Sequence, residues 1–326
     1  MRTGRRRGGA LLMVLWVSAA LAAVGFSLAT TVRGETERTA TGVDSLRSYY
    51  LAVGGVQRGM VELLWSALYP TERRIPKGST VVMYDFPAGA VRVEIIPEAA
   101  KLNVNTTSTI ELYRLLLALG ARDDIAREIA SGIDDWRRPG SGGMFDSFYM
   151  AQTPSFRTPH ASFQEIEELL LIKGVTPDLF YGSYAPAETV DGADQSGPRL
   201  LPRGGLMDCL SVYGSRDRVD ANTAAPAVLA AVGLSPYAIS ALVARRAVAP
   251  LSEKELNEFM AGVGAPGDRL RVEGNSMVTM RATARLRLPN GTLSDLKRTV
   301  AAQIKYMQPK SAPFNVLRWY DTSWSN

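Results

Sequence analysis

The sequence predicts an α+β fold: a long N-terminal helix is followed by two blocks of β-strands, with a large helical segment between them. An apolar run near the N-terminus leads into apolar residues at helical spacing, which is typical of one extended helix. Two separate blocks are rich in β-branched residues and turn signals, which indicates strands. The residues between these blocks carry helix caps and glycine turns, so we expect an α-helical domain there.

The first element is an apolar segment of 23 residues, Ala10 to Val32, that contains no charged residue. At about 1.5 Å per residue it makes a helix of roughly 35 Å, which is long enough to cross a bilayer. The residues before it include four arginines, Arg2, Arg5, Arg6 and Arg7. Because positive residues stay on the cytoplasmic side, we expect the bulk of the chain to be exported.

Three kinds of membrane signal fit this segment. A secretory leader is cut after its apolar core, and Ala20–Ala22 or Ser27–Ala29 has the small residues that such a cut needs. A permanent anchor is not cut at all. In the third kind, the cut falls before the apolar core and after a glycine, which makes Gly9 the last leader residue and Ala10 the first mature residue.

The charge balance argues against a nucleic-acid partner. The net charge is +5, but four of the 37 basic residues are the leader arginines, which leaves 33 basic against 32 acidic residues. The single cysteine, Cys209, cannot form an internal disulfide. His160 is the only histidine, and no Ser-His-Asp or Cys-His arrangement is recognisable around it, so we expect no enzyme.

Beyond Val32 the helix is expected to continue to Tyr69, because apolar residues recur at spacings of three, four and seven. This stripe consists of Val43, Leu46, Tyr50, Val53, Met60 and Leu64. Gly54, Gly55 and Gly59 each weaken a helix by roughly 1 kcal/mol relative to alanine, so a bend is predicted there. An anchored soluble domain with a helical stalk would show the same pattern.

The two β blocks have clear strand and turn signals. In the first block, Thr80–Tyr84 and Ala90–Ile96 flank the turn residues Phe86–Gly89. The second block contains Leu270–Val272, Met277–Leu288 and Leu296–Tyr306, with a hairpin turn at Pro289–Gly291. The predicted segments are a leader at 1–9, a membrane span at 10–32, its helical continuation at 33–69, a first β block at 70–105, a helical domain at 106–266, and a second β block with the C-terminal tail at 267–326.

The helical domain contains an imperfect repeat, Lys101–Thr106 and Arg218–Thr223, each followed by an apolar helix and a glycine turn. We predict that the repeat caps a helix and ties it to the preceding strand. Capping-box spacing supports the helices at Ser108, Ser162 and Ser252, and an N-cap before proline does so at Thr176 and Ser235.

The repeat also fits a helix-hairpin-helix, which holds nucleic-acid phosphates through backbone N–H groups of a glycine-rich hairpin. The alternative function is therefore a membrane-anchored DNA-uptake protein. Its hairpin needs a second glycine, and the turns at Gly120, Gly174 and Gly233 lack one. Arg245 and Arg246 would be the first residues to test for DNA contact.

With these parts in order, the chain resembles the K-type minor pseudopilins of type II secretion, the GspK family. The resemblance covers nearly the whole chain. It rests on Gly9–Trp16, Lys101–Thr106, Gly132–Trp136, Ser162–Pro177, Asp220–Thr223 and Phe314–Trp319.

The resemblance implies a type IV pilin-like fold, with the long helix packed on an antiparallel sheet and the α-helical domain inserted into that sheet. It implies cleavage between Gly9 and Ala10 by a prepilin peptidase. It also implies a single-pass protein of the bacterial inner membrane, with most of the chain in the periplasm at the pseudopilus tip. The implied partners are the I-like and J-like minor pseudopilins, with which the protein starts assembly, and exported protein substrates.

One position of the membrane segment takes a specific meaning from the resemblance. Most pilins have a glutamate five residues into the mature chain, which pairs with the terminal ammonium of a neighbouring subunit; here that residue is Val14. The first subunit of a filament has no predecessor to pair with, so an apolar residue suits the tip, although Val14 also suits any membrane helix.

Relatives often bind calcium in a loop of the helical domain. The candidate ligands here are Asp134, Asp135 and Asp146, with two arginines between them. Calcium needs six to eight oxygen ligands, so we expect no cofactor and keep calcium as the alternative.

Overall fold

The computed structural model describes residues 7–76, 78–140, 142–186, 200–264, 267–272, 276–307 and 314–321. The first element is helix α1, which runs without interruption from Arg7 to Leu68. It continues through Gly54, Gly55 and Gly59, where the sequence predicts a bend. The long helix is therefore confirmed, and the glycines do not break it.

The strands divide between one large sheet and three small ones. In chain order they are β1 (Val81–Phe86), β2 (Gly89–Pro97), β3 (Leu102–Asn103), β4 (Ser183–Pro186), β5 (Leu200–Arg203), β6 (Leu210–Ser211), β7 (Val219–Asp220), β8 (Leu270–Arg271), β9 (Met277–Arg287), β10 (Leu293–Tyr306) and β11 (Phe314–Tyr320). The large sheet is antiparallel, in the order β1-β2-β9-β10-β11. Both predicted β blocks therefore contribute to one sheet, as expected.

The large sheet packs against the second half of α1. Side chains of β2 alternate along the strand, with Val91, Val93 and Ile95 buried. On α1, Ala52 and Val56 are fully buried in the same core. The strand face that contains every second residue of β2 thus packs against the apolar stripe of α1.

The remaining helices form the inserted domain. They are α2 (Thr109–Ala118), α3 (Asp123–Arg137), α4 (Asp146–Met150), α5 (Pro177–Tyr181), α6 (Leu206–Cys209), α7 (Pro226–Ala231), α8 (Pro236–Val248) and α9 (Glu253–Gly262). They share a single core, separate from the core between α1 and the large sheet. A 3-10 turn, Glu98–Ala100, leads from β2 into this domain.

The predicted strand segment Leu270–Val272 and the short strand β3 belong to the inserted domain instead of the large sheet. β3 pairs in parallel with β6, and β8 pairs in parallel with β7. The prediction that Leu270–Val272 adds to the large sheet is therefore wrong. Because these short strands close the helical repeats, the inserted domain extends from Glu98 to residue 272 and not from 106 to 266.

Most predicted helix starts are found. Ser108 and Ser252 form capping boxes with Glu111 and Glu255. Thr176 and Ser235 cap the helices that begin with proline. The box predicted at Ser162 and Glu165 lies three residues further along, where Glu165 and Glu168 cap the 3-10 helix Ile166–Leu171. The Phe163 N–H donates to the Asn105 side chain, so the 3-10 helix begins three residues later than predicted.

Candidate functional site

The inserted domain joins the large sheet at the end away from the apolar segment. A Cβ atom on Gly55 would face Val91, and one on Gly59 would face Val93, so α1 and β2 run in the same direction. β2 then leads directly into the inserted domain. The domain therefore sits beyond the sheet, at the end of the molecule opposite the predicted membrane span.

The N-terminal part of α1 makes no contact with the rest of the described chain. Val14 is 66% exposed, and a Cβ atom on Gly9 would meet no atom within 4 Å. Among the helices in the described ranges, α1 alone is long and apolar enough to cross a membrane. Gly9 and Ala10 lie on it, exposed, and their cleavage remains a prediction.

Polar contacts join the inserted domain to the sheet. Arg281 of β9 binds Glu94 of β2 with Nε and Oε2 2.6 Å apart, and its Nη1 lies 3.8 Å from Asp208 in the inserted domain. Arg318 of β11 pairs with Glu165. The two bodies therefore have separate apolar cores and meet through charged side chains.

The sequence repeat corresponds to a repeated side-chain clamp. Asn105 donates from Nδ2 to the Phe163 carbonyl at 3.0 Å and accepts the Phe163 N–H at 2.8 Å. Asn222 makes the same pair of bonds with Leu251, at 2.9 and 2.8 Å. Each asparagine thus ties the chain after its helical hairpin back to the start of the repeat. The motif is therefore structural, as predicted, but the prediction that it caps a helix is wrong, because the N-caps of α2 and α7 are Ser108 and Ala225.

A partly buried arginine accompanies each clamp. Arg137 donates to the carbonyls of Val104 and Thr107, both at 2.7 Å. In the second repeat, Arg246 donates to the carbonyls of Ala221 and Ala224, at 2.9 and 2.8 Å. These carbonyls occupy equivalent positions in the two repeats. Sequence reasoning missed this structural role of both arginines because neither occurs within the repeated motif.

The arginines proposed for DNA contact are already engaged. Arg246 is held by the two carbonyls, and desolvation lowers the pKa of its guanidinium. Arg245 pairs with Glu255 at 2.9 Å and donates to the Ala249 carbonyl at 3.0 Å. Neither side chain is free to bind phosphate.

The two hairpin turns share one geometry. Gly120 and Gly233 have φ values of +80° and +98°, which favour glycine. In each turn the N–H of the residue after the glycine donates to the carbonyl five residues earlier, from Ala121 to Leu116 and from Leu234 to Leu229, which closes a Schellman motif.

These turns do not offer the donors of a phosphate site. The N–H of Ala238 at the start of α8 is taken by Ser235, at 3.2 Å. At the start of α3, Asp123 and Asp124 place negative charge where a phosphate would approach. The two glycine turns therefore lack the surroundings that a phosphate site needs.

The three calcium candidates do not converge on one point. Asp134 pairs with Arg137 at 3.0 Å and also with Arg138. Asp135 accepts the backbone N–H groups of Met144, at 3.1 Å, and Phe145, at 3.3 Å. Its carboxylate therefore caps the turn that precedes α4.

Asp146 is the most strongly bound of the three. It accepts the N–H of Gly143 at 2.8 Å and the hydroxyl of Thr158 at 2.7 Å. His160 Nε2 lies 3.1 Å from Asp146 Oδ1, and Nδ1 lies 3.2 Å from the Asp135 carbonyl. The bond from Gly143, followed by that from Thr158, lowers the pKa of Asp146 to about 2.

Two opposing effects act on His160. Desolvation lowers its pKa, but the contacts with Asp146 and the Asp135 carbonyl outweigh it and raise the pKa overall. In the described ranges, no three His, Cys, Asp or Glu side chains are grouped to hold a metal ion. The candidate carboxylates bind protein donors, so this donor set does not fit calcium.

Cys209 has no reactive environment. It is 1% exposed, and burial raises the pKa of its thiol to about 12. Cys209 is therefore a buried free thiol.

The family model and the two relatives to which the chain is similar carry the same description. Residues 96–184 match the family model for type II secretion system (T2SS), protein K. The type II secretion system protein K of Klebsiella pneumoniae is 26% identical over 199 residues, which are 54% of this chain and 60% of that protein. The protein of the same name from Pseudomonas aeruginosa is 28% identical over 99 residues, which are 26% of this chain and 30% of that protein. The chain thus spans less than two thirds of either relative.

A solved structure shares the fold. A chain in the crystal structure of the GspK-GspI-GspJ complex from the type 2 secretion system of enterotoxigenic Escherichia coli aligns with a TM-score of 0.56 and 16% identity. The alignment covers 88% of this chain and 100% of that chain. The pilin-like fold with its helical insertion is therefore confirmed.

Proposed function

We propose that the chain is a member of the type II secretion system protein K family and acts as a non-enzymatic minor pseudopilin at the tip of a secretion pseudopilus, which its similarity to the family model over residues 96–184 and to the Klebsiella pneumoniae protein supports. It is anchored in the inner membrane by the N-terminal part of α1, and its sheet and inserted domain lie in the periplasm. It starts filament assembly and supports protein export.

The partners we propose are one I-like and one J-like minor pseudopilin. The similar solved structure is a complex of GspK with GspI and GspJ. The fold shared with GspK supports the same kind of assembly for this chain. At 16% identity, the contact residues have to be identified by experiment.

The observation that carries the tip position is the location of the inserted domain. A pseudopilus stacks subunits along the direction of their N-terminal helices, and the inserted domain occupies the space beyond the sheet in that direction. The next subunit would collide with it, so only the last position in the filament has room. Val14 supports the same position, because a tip subunit needs no carboxylate for a predecessor.

A composition measurement tests the proposal. The full-length chain, coexpressed with the I-like and J-like pseudopilins of its own system and extracted in detergent, should form a complex with one copy of each, as measured by native mass spectrometry. Labelled full-length chain should appear once, at one end of each pseudopilus. Copies repeating along the shaft would contradict the proposal.

A deletion variant tests whether the size of the inserted domain, and not the residue at position 14, confines the protein to the tip. Pro97 and Val278 are register partners on adjacent strands, so a short hairpin turn can replace residues 98–276. This variant should enter the shaft, because the steric block is gone. The matched variant Val14→Glu keeps the inserted domain and should stay at the tip. If the deletion variant folds and remains confined to the tip, the size of the inserted domain does not decide where the subunit lies in the filament.

A further inference from the structure

The loop between α3 and the 3-10 helix Ile166–Leu171 covers one side of the inserted domain. Its near end is held by Asp135, whose carboxylate accepts two backbone N–H groups of the turn before α4. Its middle is held by Asp146, which accepts the Gly143 N–H and the Thr158 hydroxyl. The loop thus encloses two carboxylates, and it needs a positive or donor group between them.

His160 supplies that group. Its Nε2 lies 3.1 and 3.2 Å from the two oxygens of Asp146, and its Nδ1 lies 3.2 Å from the backbone carbonyl of Asp135. Both ring nitrogens therefore face oxygen acceptors, in positions where a bound cation would also bridge a carboxylate and a carbonyl. The His160 side chain is 13% exposed, so the contact is largely shielded from solvent.

The backbone is distorted to place this ring. His160 has a φ of +44°, the one positive value among the non-glycine residues that the structure describes. Such a conformation costs about 1 kcal/mol or more and persists where surrounding contacts hold it. The neighbouring Ala161 N–H donates to the Trp136 carbonyl at 3.1 Å, which fixes the segment against α3.

The space beside Gly143, between the Asp135 carboxylate and the His160 ring, is full. A Cβ atom on Gly143 would lie 2.5 Å from His160 Cε1 and 2.5 Å from Asp135 Oδ2. Only glycine fits at this point, and an ion with six to eight oxygen ligands would have to displace the ring. Asp134 does not help, because Arg137 and Arg138 hold it.

We propose that the His160 imidazole occupies the position of a cation in this loop, so that the inserted domain closes through protein donors and folds independently of calcium. The proposal concerns the closure of the domain and stands whether or not the chain lies at a filament tip.

Trp136 provides a local reporter. It is 2% exposed, stacks on Phe163 at 5.9 Å and meets Tyr149 edge-on at 5.8 Å. The chain has four other tryptophans, Trp16, Trp65, Trp319 and Trp324. Thermal unfolding in detergent is therefore followed by tryptophan fluorescence in the full-length chain with these four replaced by phenylalanine, which serves as the wild type and reports on this loop. The measurement is made in 1 mM CaCl₂ and in 1 mM EDTA.

The wild-type midpoint should be the same in both solutions to within about 1 °C, since a ligand that does not bind the folded state does not shift unfolding. His160→Ala should lower the midpoint by roughly 3–6 °C in EDTA. The matched control Arg157→Ala removes an exposed basic side chain from the same segment and should change the midpoint by less than about 1 °C.

Two results would overturn the proposal. One is a rise of several degrees in the wild-type midpoint with calcium, and the other is an unchanged midpoint for His160→Ala. A calcium response that appears only in His160→Ala would support it, because the vacated position would then accept an ion. If His160→Ala does not fold, the wild-type comparison decides the question alone.

Discussion

Gly55 of α1 and Val91 of β2 approach so closely that a Cβ atom on residue 55 would lie 2.5 Å from Val91 Cγ1. Val91 is fully buried, and Val93 would also be within 3.3 Å of that Cβ atom. The glycine that weakens the isolated helix is therefore the residue that lets the helix lie on the sheet. Gly54, its neighbour, faces open space.

This contact predicts opposite effects for two adjacent substitutions. Gly55→Ala should lower the free energy of unfolding by about 1–2 kcal/mol, because overpacking outweighs the gain in helix propensity. Gly54→Ala should raise it by up to about 1 kcal/mol. Chemical denaturation of the full-length chain in detergent measures both. Equal effects of the two variants would contradict the packing role.

A second pair of adjacent residues distinguishes structural from surface arginines. Arg246→Ala should cost about 2–3 kcal/mol, because it leaves the Ala221 and Ala224 carbonyls without their charged donor. Arg245→Ala breaks a partly exposed ion pair with Glu255 and should cost no more than about 1 kcal/mol. Unfolding midpoints in denaturant compare them. A larger loss for Arg245→Ala would show that the repeat is not held as described.

Binding to duplex DNA should be micromolar or weaker at physiological salt. The reason is that Ser235 binds the Ala238 N–H in one hairpin, that two carboxylates begin the helix after the other hairpin, and that the arginines of α8 are engaged. Fluorescence anisotropy with labelled duplex over a range of salt concentrations checks this. Tight binding with a steep salt slope would restore the DNA-uptake alternative.

Asp146 predicts a loss of stability in acid. Its pKa is lowered to about 2 in the folded chain, against about 3.9 in an unfolded chain. The stabilisation is therefore present above about pH 4 and is lost as the pH falls toward 2. The unfolding midpoint of Asp146→Asn should fall less than that of the wild type over this range. Asp295→Asn, which changes a fully exposed carboxylate, should follow the wild type.

Processing is predicted between Gly9 and Ala10. Intact-mass analysis of the protein from membranes should find a mature chain that begins at Ala10, with an added methyl group at its N-terminus. Gly9→Leu should leave the leader attached, whereas Gly8→Leu should be processed. A mature chain that begins near Val24 or Thr30 would instead indicate ordinary secretion.

The sequence alone determined the elements whose signals are local. Apolar residues at helical spacing predicted α1 to within a residue or two of its end at Leu68, and turn residues predicted the β1–β2 and β9–β10 hairpins. N-caps at Ser108 and Ser235 were found because a cap and its partner lie three residues apart. Such features depend on residues that are neighbours in the chain, so a pattern can reveal them.

The tertiary structure decided the features whose partners are distant. Asn105 binds Phe163 across 58 residues, and Arg246 reaches carbonyls more than 20 residues away. The same holds for His160 between Asp135 and Asp146, for the parallel pairing that places Leu270 in the inserted domain, and for the glycine face of α1. In each case the side chain's role comes from a group that only folding brings within contact distance, and composition and spacing do not record that distance.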